Sequence, residues 1–256
     1  MRMNQSQNID DDAVVEVLNA AGTSDIVLVC EHASAFIPPA LSDLGLSDAA
    51  KRSHAAWDPG ARAVAVLMSR QLDAPLVASK VSRLVYDCNR PPHVPSAMIE
   101  RSEVFDIPGN QNLTQEDRKT RAARYYTPFR DRLTQVLAAK PDPIIVTIHS
   151  FTRIYQGITR EVEIGILHDQ DTRLADAMLE ADTGRFVTRR NEPYGPADGV
   201  THTLKEHALP HGRRNVMIEI RNDLIETEDT QTAMATLMSR WVAEAVAHTK
   251  GLSCKV

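Results

Sequence analysis

Residues 143–149 read PIIVTIH, an unbroken apolar run that stops at a histidine. An extended chain turns alternate side chains to opposite faces, so such a run must be buried on both. In a compact α/β domain that means the interior of a parallel sheet with helices on each side. Asp25–Cys30 (DIVLVC), Val162–Leu167 (VEIGIL) and Val216–Ile220 (VMIEI) carry the same signal. Leu76–Ser79, Leu84–Tyr86 and Phe186–Thr188 read as shorter strands. All fall far below the ~18 apolar residues of a membrane-spanning helix.

Helical segments alternate with these runs. Ser47 suits an N-cap. Asp58-Pro59 suits the cap and first position of a helix that continues through Val64, Leu67, Met68 and Leu72 at helical spacing. Thr114 and Asp117 form a capping-box pattern before a stripe of Tyr125, Tyr126, Phe129, Leu133, Val136 and Leu137. Thr172–Leu179 reads as a helix. A last one carries Met234, Leu237, Met238, Trp241, Val242 and Ala245. Residues 91–112 and 191–199 are long irregular loops, a length usually tied to function. No repeat or linker divides the chain. The expectation is one α/β domain over residues 23–256, a mixed, mostly parallel sheet with helices on both faces, after a polar, partly ordered segment at 1–22.

Composition narrows the function. A net charge of −5 over 256 residues gives no basic face for nucleic acid or anionic membrane. Three cysteines, Cys30, Cys88 and Cys254, without CxxC spacing exclude a disulfide scaffold and fit a reducing compartment. The N-terminus lacks a signal-peptide pattern, so a cytoplasmic protein is expected.

In open α/β sheets, ligands bind beyond the carboxyl ends of the strands. Here those ends deliver Glu31-His32, Asp87-Cys88-Asn89-Arg90, His149-Ser150, and Glu219 followed by Arg221. Histidines and carboxylates meeting from separate strands are what a catalytic zinc site requires. Each residue also has a plainer reading. His32 and His149 can be hydrogen-bonded core residues, Asp58 a helix cap, Glu219 the buried partner of Arg221 or another arginine, and Arg83 and Arg90 surface cations. His54 reads as a solvent-facing helical residue. Cys30 and Cys88 read as buried thiols or, less simply, as nucleophiles. Neither Ser34 nor Ser150 sits in GxSxG, and no GxGxxG or P-loop pattern occurs.

The stretches CEHAS (30–34), WDPGA (57–61), SRLVYDCNR (82–90), IHSFT (148–152), NEPYG (191–195) and IEIRNDL (218–224) together resemble the N-formylglutamate amidohydrolase family over about residues 25–245. A more distant likeness is to the zinc carboxypeptidases, in His149-Ser150-Phe151, Glu219-Ile220-Arg221-Asn222 and Asn89-Arg90. The carboxypeptidase His-x-x-Glu is broken here, since position 35 is Ala. The resemblance implies a zinc-carboxypeptidase-like fold and a Zn2+ ion held by His32, His149 and Asp58, with Glu31 as the reserve carboxylate. It implies Glu219 as general base, Arg83 as oxyanion stabiliser, and Asn89, Arg90 and Arg221 as ligands of a small anionic N-acyl amino acid. Hydrolysis of N-formyl-L-glutamate to formate and glutamate, a reaction of histidine catabolism, is the implied activity. The alternatives are hydrolysis of another N-acyl amino acid or a short peptide, a non-catalytic binder of acidic metabolites, and a cysteine hydrolase.

Overall fold

The computed structural model describes residues 14–253, with side chains through residue 250. A seven-stranded sheet organises them: β1 (Val15–Leu18), β2 (Ile26–Cys30), β3 (Leu76–Ser79), β4 (Ile144–Phe151), β5 (Ile164–Leu167), β6 (Thr188–Arg190) and β7 (Asn215–Arg221). Their order across the sheet is β1-β3-β2-β4-β7-β5-β6. The four strands β3, β2, β4 and β7 run parallel. β1 pairs antiparallel at one edge, and β5 and β6 run against β7 at the other. The mostly parallel, mixed sheet expected from the apolar runs is the one formed.

The helices are α1 (Asp48–Arg52), α2 (Ala61–Gln71), α3 (Gln115–Arg121), α4 (Thr127–Ala138), α5 (Arg173–Glu180), α6 (His202–His207) and α7 (Glu228–Ser253). Both sheet faces are covered. Leu28, Val146, Ile148 and Ile218 pack against α2, α5 and α7, including Met238, Trp241 and Val242. Val27, Val29, Ile145 and Met217 pack beneath Phe129, Leu133 and Leu137 of α4 and the apolar side chains of 81–107. A period of two on the strands thus feeds two separate cores.

Local chemistry explains several boundaries. Ser47 and Thr114 cap their helices as expected, Thr114 with the reciprocal Asp117 bonds of a capping box. The long helix after Thr114 is split by a wider turn at Ala122–Tyr126. Pro128 lies in the first turn of α4 and has no N–H to offer residue 124, which loosens the hydrogen-bond ladder there.

Three expectations are corrected. Leu84–Tyr86 is a turn, not a strand: the Ser82 hydroxyl accepts from Leu84 N–H and donates to Ala56 O, so a serine turn outcompetes extension. The strand expected at Phe186–Thr188 forms two residues later as β6. Helix α2 starts at Ala61, with Gly60 at its cap (φ 81°) and no side-chain cap bond, so Asp58 is not its N-cap. Gly60 is required, because a Cβ would lie 2.6 Å from Ile225 O. The N-terminal polar segment contributes β1, whose Val15 is buried; residues 1–13, like Cys254, lie outside the described residues. Among the described residues no helix is long and apolar enough to cross a membrane.

Candidate active site

The strand ends converge as the apolar runs require. His32 follows β2, and its carbonyl accepts the Asp58 N–H at 3.0 Å, tying the loop before α2 to the sheet. His149 lies near the end of β4. Glu219 sits in β7 directly beside it in register, and same-register neighbours in a parallel ladder share a face. All four side chains are buried.

Three acceptor atoms meet at one point. Asp58 Oδ2 lies 3.2 Å from His32 Nδ1 and 2.9 Å from His149 Nδ1, and the two Nδ1 atoms are 3.2 Å apart. The far side of each ring faces a carboxylate. His32 Nε2 is 2.7 Å from Asp87 Oδ1, and His149 Nε2 is 3.1 Å from Glu31 Oε2, in ion-pair contact but outside hydrogen-bond alignment. Carboxylates there favour the proton on Nε2 and turn the Nδ1 lone pairs inward. Two lone pairs and a carboxylate oxygen then face one another, an arrangement that calls for a cation. Tetrahedral ligands at roughly 2.0–2.1 Å from zinc are separated by about 3.3 Å, so the observed triangle fits a divalent ion. His32, Asp58 and His149 are therefore the residues that could hold a metal. Glu31 stands behind His149 instead, and its Oε1 has no hydrogen-bond partner among the described residues.

The same contacts set the electrostatics. Burial works against protonating His149, but Glu31 and Asp58 outweigh it and raise its pKa well above the usual imidazole value. His32 is raised by Asp87 and Asp58 against burial and Arg83. Burial would raise Asp58 and Asp87. Both are held low instead, Asp58 by His32 and His149 and Asp87 by His32 and Arg83. Glu219 behaves oppositely. Burial, reinforced by Asp58 against the pull of His149, pushes it up to about 7. Its Oε2 has no hydrogen-bond partner among the described residues. The expected alternative, an ion pair with Arg221 or another arginine, is not formed among them.

A cavity of about 540 Å³ opens over this cluster. Arg83 lines it, with Nη2 2.9 Å from Asp87 Oδ2 and Nη1 3.5 Å from Asp58 Oδ1. Asn89 and Arg90 also line it, but they carry structure as well. The Asn89 amide donates to Val200 O at 2.5 Å and accepts from Thr203 N–H at 3.0 Å, while Arg90 donates to Gly199 O. These bonds fasten the 191–203 segment over the site. Arg221 is not brought to the cavity. It is the last residue of β7, where Asp223 Oδ1 at 2.7 Å and Glu163 Oε1 at 3.2 Å hold its guanidinium away from the cavity. The expected substrate contact from Arg221 is thus not found.

His54, expected to face solvent, lines the cavity from a turn after α1. Cys30 and Cys88 are buried, and burial drives both thiols well above their ordinary pKa, which removes the thiolate a cysteine hydrolase needs. Sequence reasoning missed Arg160 and Tyr194, two further lining residues joined by a 2.9 Å hydrogen bond. Arg160 lies among strands of two residues, too short for periodicity to mark. Tyr194 stands within NEPYG, a stretch of the resemblance to which sequence reasoning attaches no residue role.

Gly165 faces Glu219 across the β5–β7 pairing. A Cβ there would lie 2.1 Å from Glu192 O and 3.2 Å from Glu219 Cβ. Gly165→Ala is expected to displace the 191–195 loop and cut turnover by ~10-fold or more, since small misplacements near reacting groups are costly. Unchanged kcat/KM in that variant would contradict this.

The chain is similar to known proteins. The family model for N-formylglutamate amidohydrolase matches residues 24–226. A gene product of Agrobacterium tumefaciens of known crystal structure is 53% identical, covering 94% of this chain and 97% of its own, with a TM-score of 0.91. An N-formylglutamate amidohydrolase from Ralstonia eutropha JMP134 shares the fold at 20% identity, with a TM-score of 0.61 over 95% of this chain and 100% of its own. No curated protein matches the chain.

Proposed function

Because the chain belongs to the N-formylglutamate amidohydrolase family, we propose that it is a zinc-dependent hydrolase that cleaves N-formyl-L-glutamate to formate and L-glutamate. The observation that carries this reading is the pairing of two unlike features. Three buried acceptor atoms face one point, and beside them stands a buried, unpartnered carboxylate, Glu219, with its pKa near neutrality.

His32, Asp58 and His149 would hold the zinc, which when bound supplies Lewis acidity and lowers the pKa of water to about 7. Glu219 takes the proton of the attacking water as oxygen adds to the formyl carbon. It then delivers that proton to the departing amide nitrogen as the C–N bond breaks, leaving formate and the free amino group. Arg83, fixed by Asp87, donates to the carbonyl oxygen as negative charge develops there. The spare donors of Arg90 receive a substrate carboxylate. Asn89 holds the covering segment through Val200 and Thr203 and, on this reading, orients Arg90. A local cluster of guanidiniums thereby draws an anion into a chain whose net charge is −5.

The test is release of formate from N-formyl-L-glutamate before and after chelation. Turnover should vanish with chelator and return with zinc. Hydrolysis indifferent to chelation, or no hydrolysis after zinc is supplied, would contradict the proposal.

A further inference from the structure

Arg160 is built into a cage of rings. Its guanidinium carbon lies 4.5 Å from the ring centre of Tyr155, 4.9 Å from Tyr194 and 5.6 Å from Phe151. Nη2 donates to the Tyr194 hydroxyl at 2.9 Å and Nη1 to Thr152 O at 3.2 Å. A guanidinium has five N–H donors, so several remain unused. Stacking on ring faces holds its plane and removes water from it, which strengthens any anion contact made at its edge.

What Arg160 lacks is a carboxylate. Of the arginines near the strand ends, Arg83 is paired with Asp87 and Asp58, and Arg221 with Asp223 and Glu163. Among the described residues, neither Arg90 nor Arg160 forms an ion pair with an acidic side chain, and both line the cavity. They come from different parts of the chain. Arg90 follows the Arg83–Asp87 turn, whose aspartate contacts His32 beside the metal-binding atoms. Arg160 follows a separate hairpin (Ile154–Tyr155 paired with Ile158–Thr159). In an N-acyl amino acid the α-carboxylate is held close to the scissile amide, whereas a side-chain carboxylate reaches further and can be read by a separate element.

We propose that Arg160 is a specificity-determining residue that binds the side-chain carboxylate of the substrate, with Arg90 left for the carboxylate next to the scissile amide. This rests on the N-acyl amino-acid reading of the same site. The aromatic cage holds the guanidinium in one orientation, so a carboxylate accepts with both oxygens and a full charge where an amide of the same shape offers one acceptor and opposes an N–H donor to another.

The experiment has two arms, each on the zinc-loaded full chain. Calorimetry compares binding of L-glutamate and L-glutamine, and kinetics compares kcat/KM for N-formyl-L-glutamate and N-formyl-L-glutamine. The wild type should favour the acidic compound in each arm by ~10²-fold or more, as when an oriented charge pair is lost. Arg160→Met should collapse that ratio to within a few-fold, mainly by loss on the acidic compound, with unchanged melting temperature and zinc content. Arg160→Lys, which keeps the charge without the planar fork, should restore part of it. A ratio that survives in Arg160→Met, a wild type without preference, or a wild type that binds neither amino acid would each overturn the proposal. The two readings fail separately. Hydrolysis with a ratio independent of Arg160 removes only the role of Arg160. A glutamate preference lost in Arg160→Met, with no hydrolysis by the wild type, removes only the hydrolase.

Discussion

Glu219→Gln should retain zinc and lose turnover by ~10²- to 10⁴-fold, the range for removal of a positioned general acid–base. Glutamine keeps the shape of the side chain, but its amide cannot take a proton from water or return one to the leaving nitrogen. Activity of the wild type should fall on the acid side as Glu219 becomes protonated. With a dication beside it, that limb lies below the value near 7 that burial and Asp58 set against the pull of His149. Stability runs the other way. A carboxyl whose pKa is raised by folding contributes most stability at low pH, and the contribution is lost as pH rises through the folded value. Metal-free Glu219→Gln should therefore melt higher than the wild type above pH ~7, because it removes a buried charge whose Oε2 has no hydrogen-bond partner among the described residues. Full activity with Gln at this position, by formate release, would remove Glu219 from the chemistry.

Asp58→Asn should abolish zinc retention and activity together. The aspartate is the only negative member of the triad, and its Oδ2 also accepts the Ser150 N–H at 3.2 Å, so one oxygen both faces the two imidazoles and anchors the end of β4. Asparagine keeps the size while losing the charge that offsets a dication. Zinc affinity should drop by more than the ~10- to 100-fold typical of changes to residues behind the ligands. Asp87→Asn, which alters a partner of His32 Nε2 and of Arg83 but no residue of the triad itself, gives that smaller loss of zinc affinity as an internal reference. Equal losses in the two variants, by competition with a chromogenic chelator, would contradict the assignment of Asp58.

Much of this was legible in the amino-acid sequence because burial and charge conflict there. A histidine or glutamate in an apolar strand, as at His149 and Glu219, must be paid for by a partner, so the pattern itself marks the site. The sheet was legible for the same reason: runs such as PIIVTIH can be buried in few other ways. Asp58 was ambiguous, since Asp-Pro-Gly is also a good helix start, and only the contacts of its carboxylate with His32 and His149 in the fold show that it turns inward. Arg221 misled because it shares a strand with Glu219, while Glu163 and Asp223 at the end of that strand take up its guanidinium. Arg160 left no trace, because its role depends on rings at 151, 155 and 194 that only the folded loops assemble.

In the proposed mechanism two imidazoles 117 residues apart share one cation. Zinc per chain, measured on wild type and His149→Ala purified side by side under the same conditions, tests this. One equivalent is expected in the wild type and none in the variant, both remaining folded. Equal zinc in the two proteins, or none in either after zinc is supplied, would contradict it.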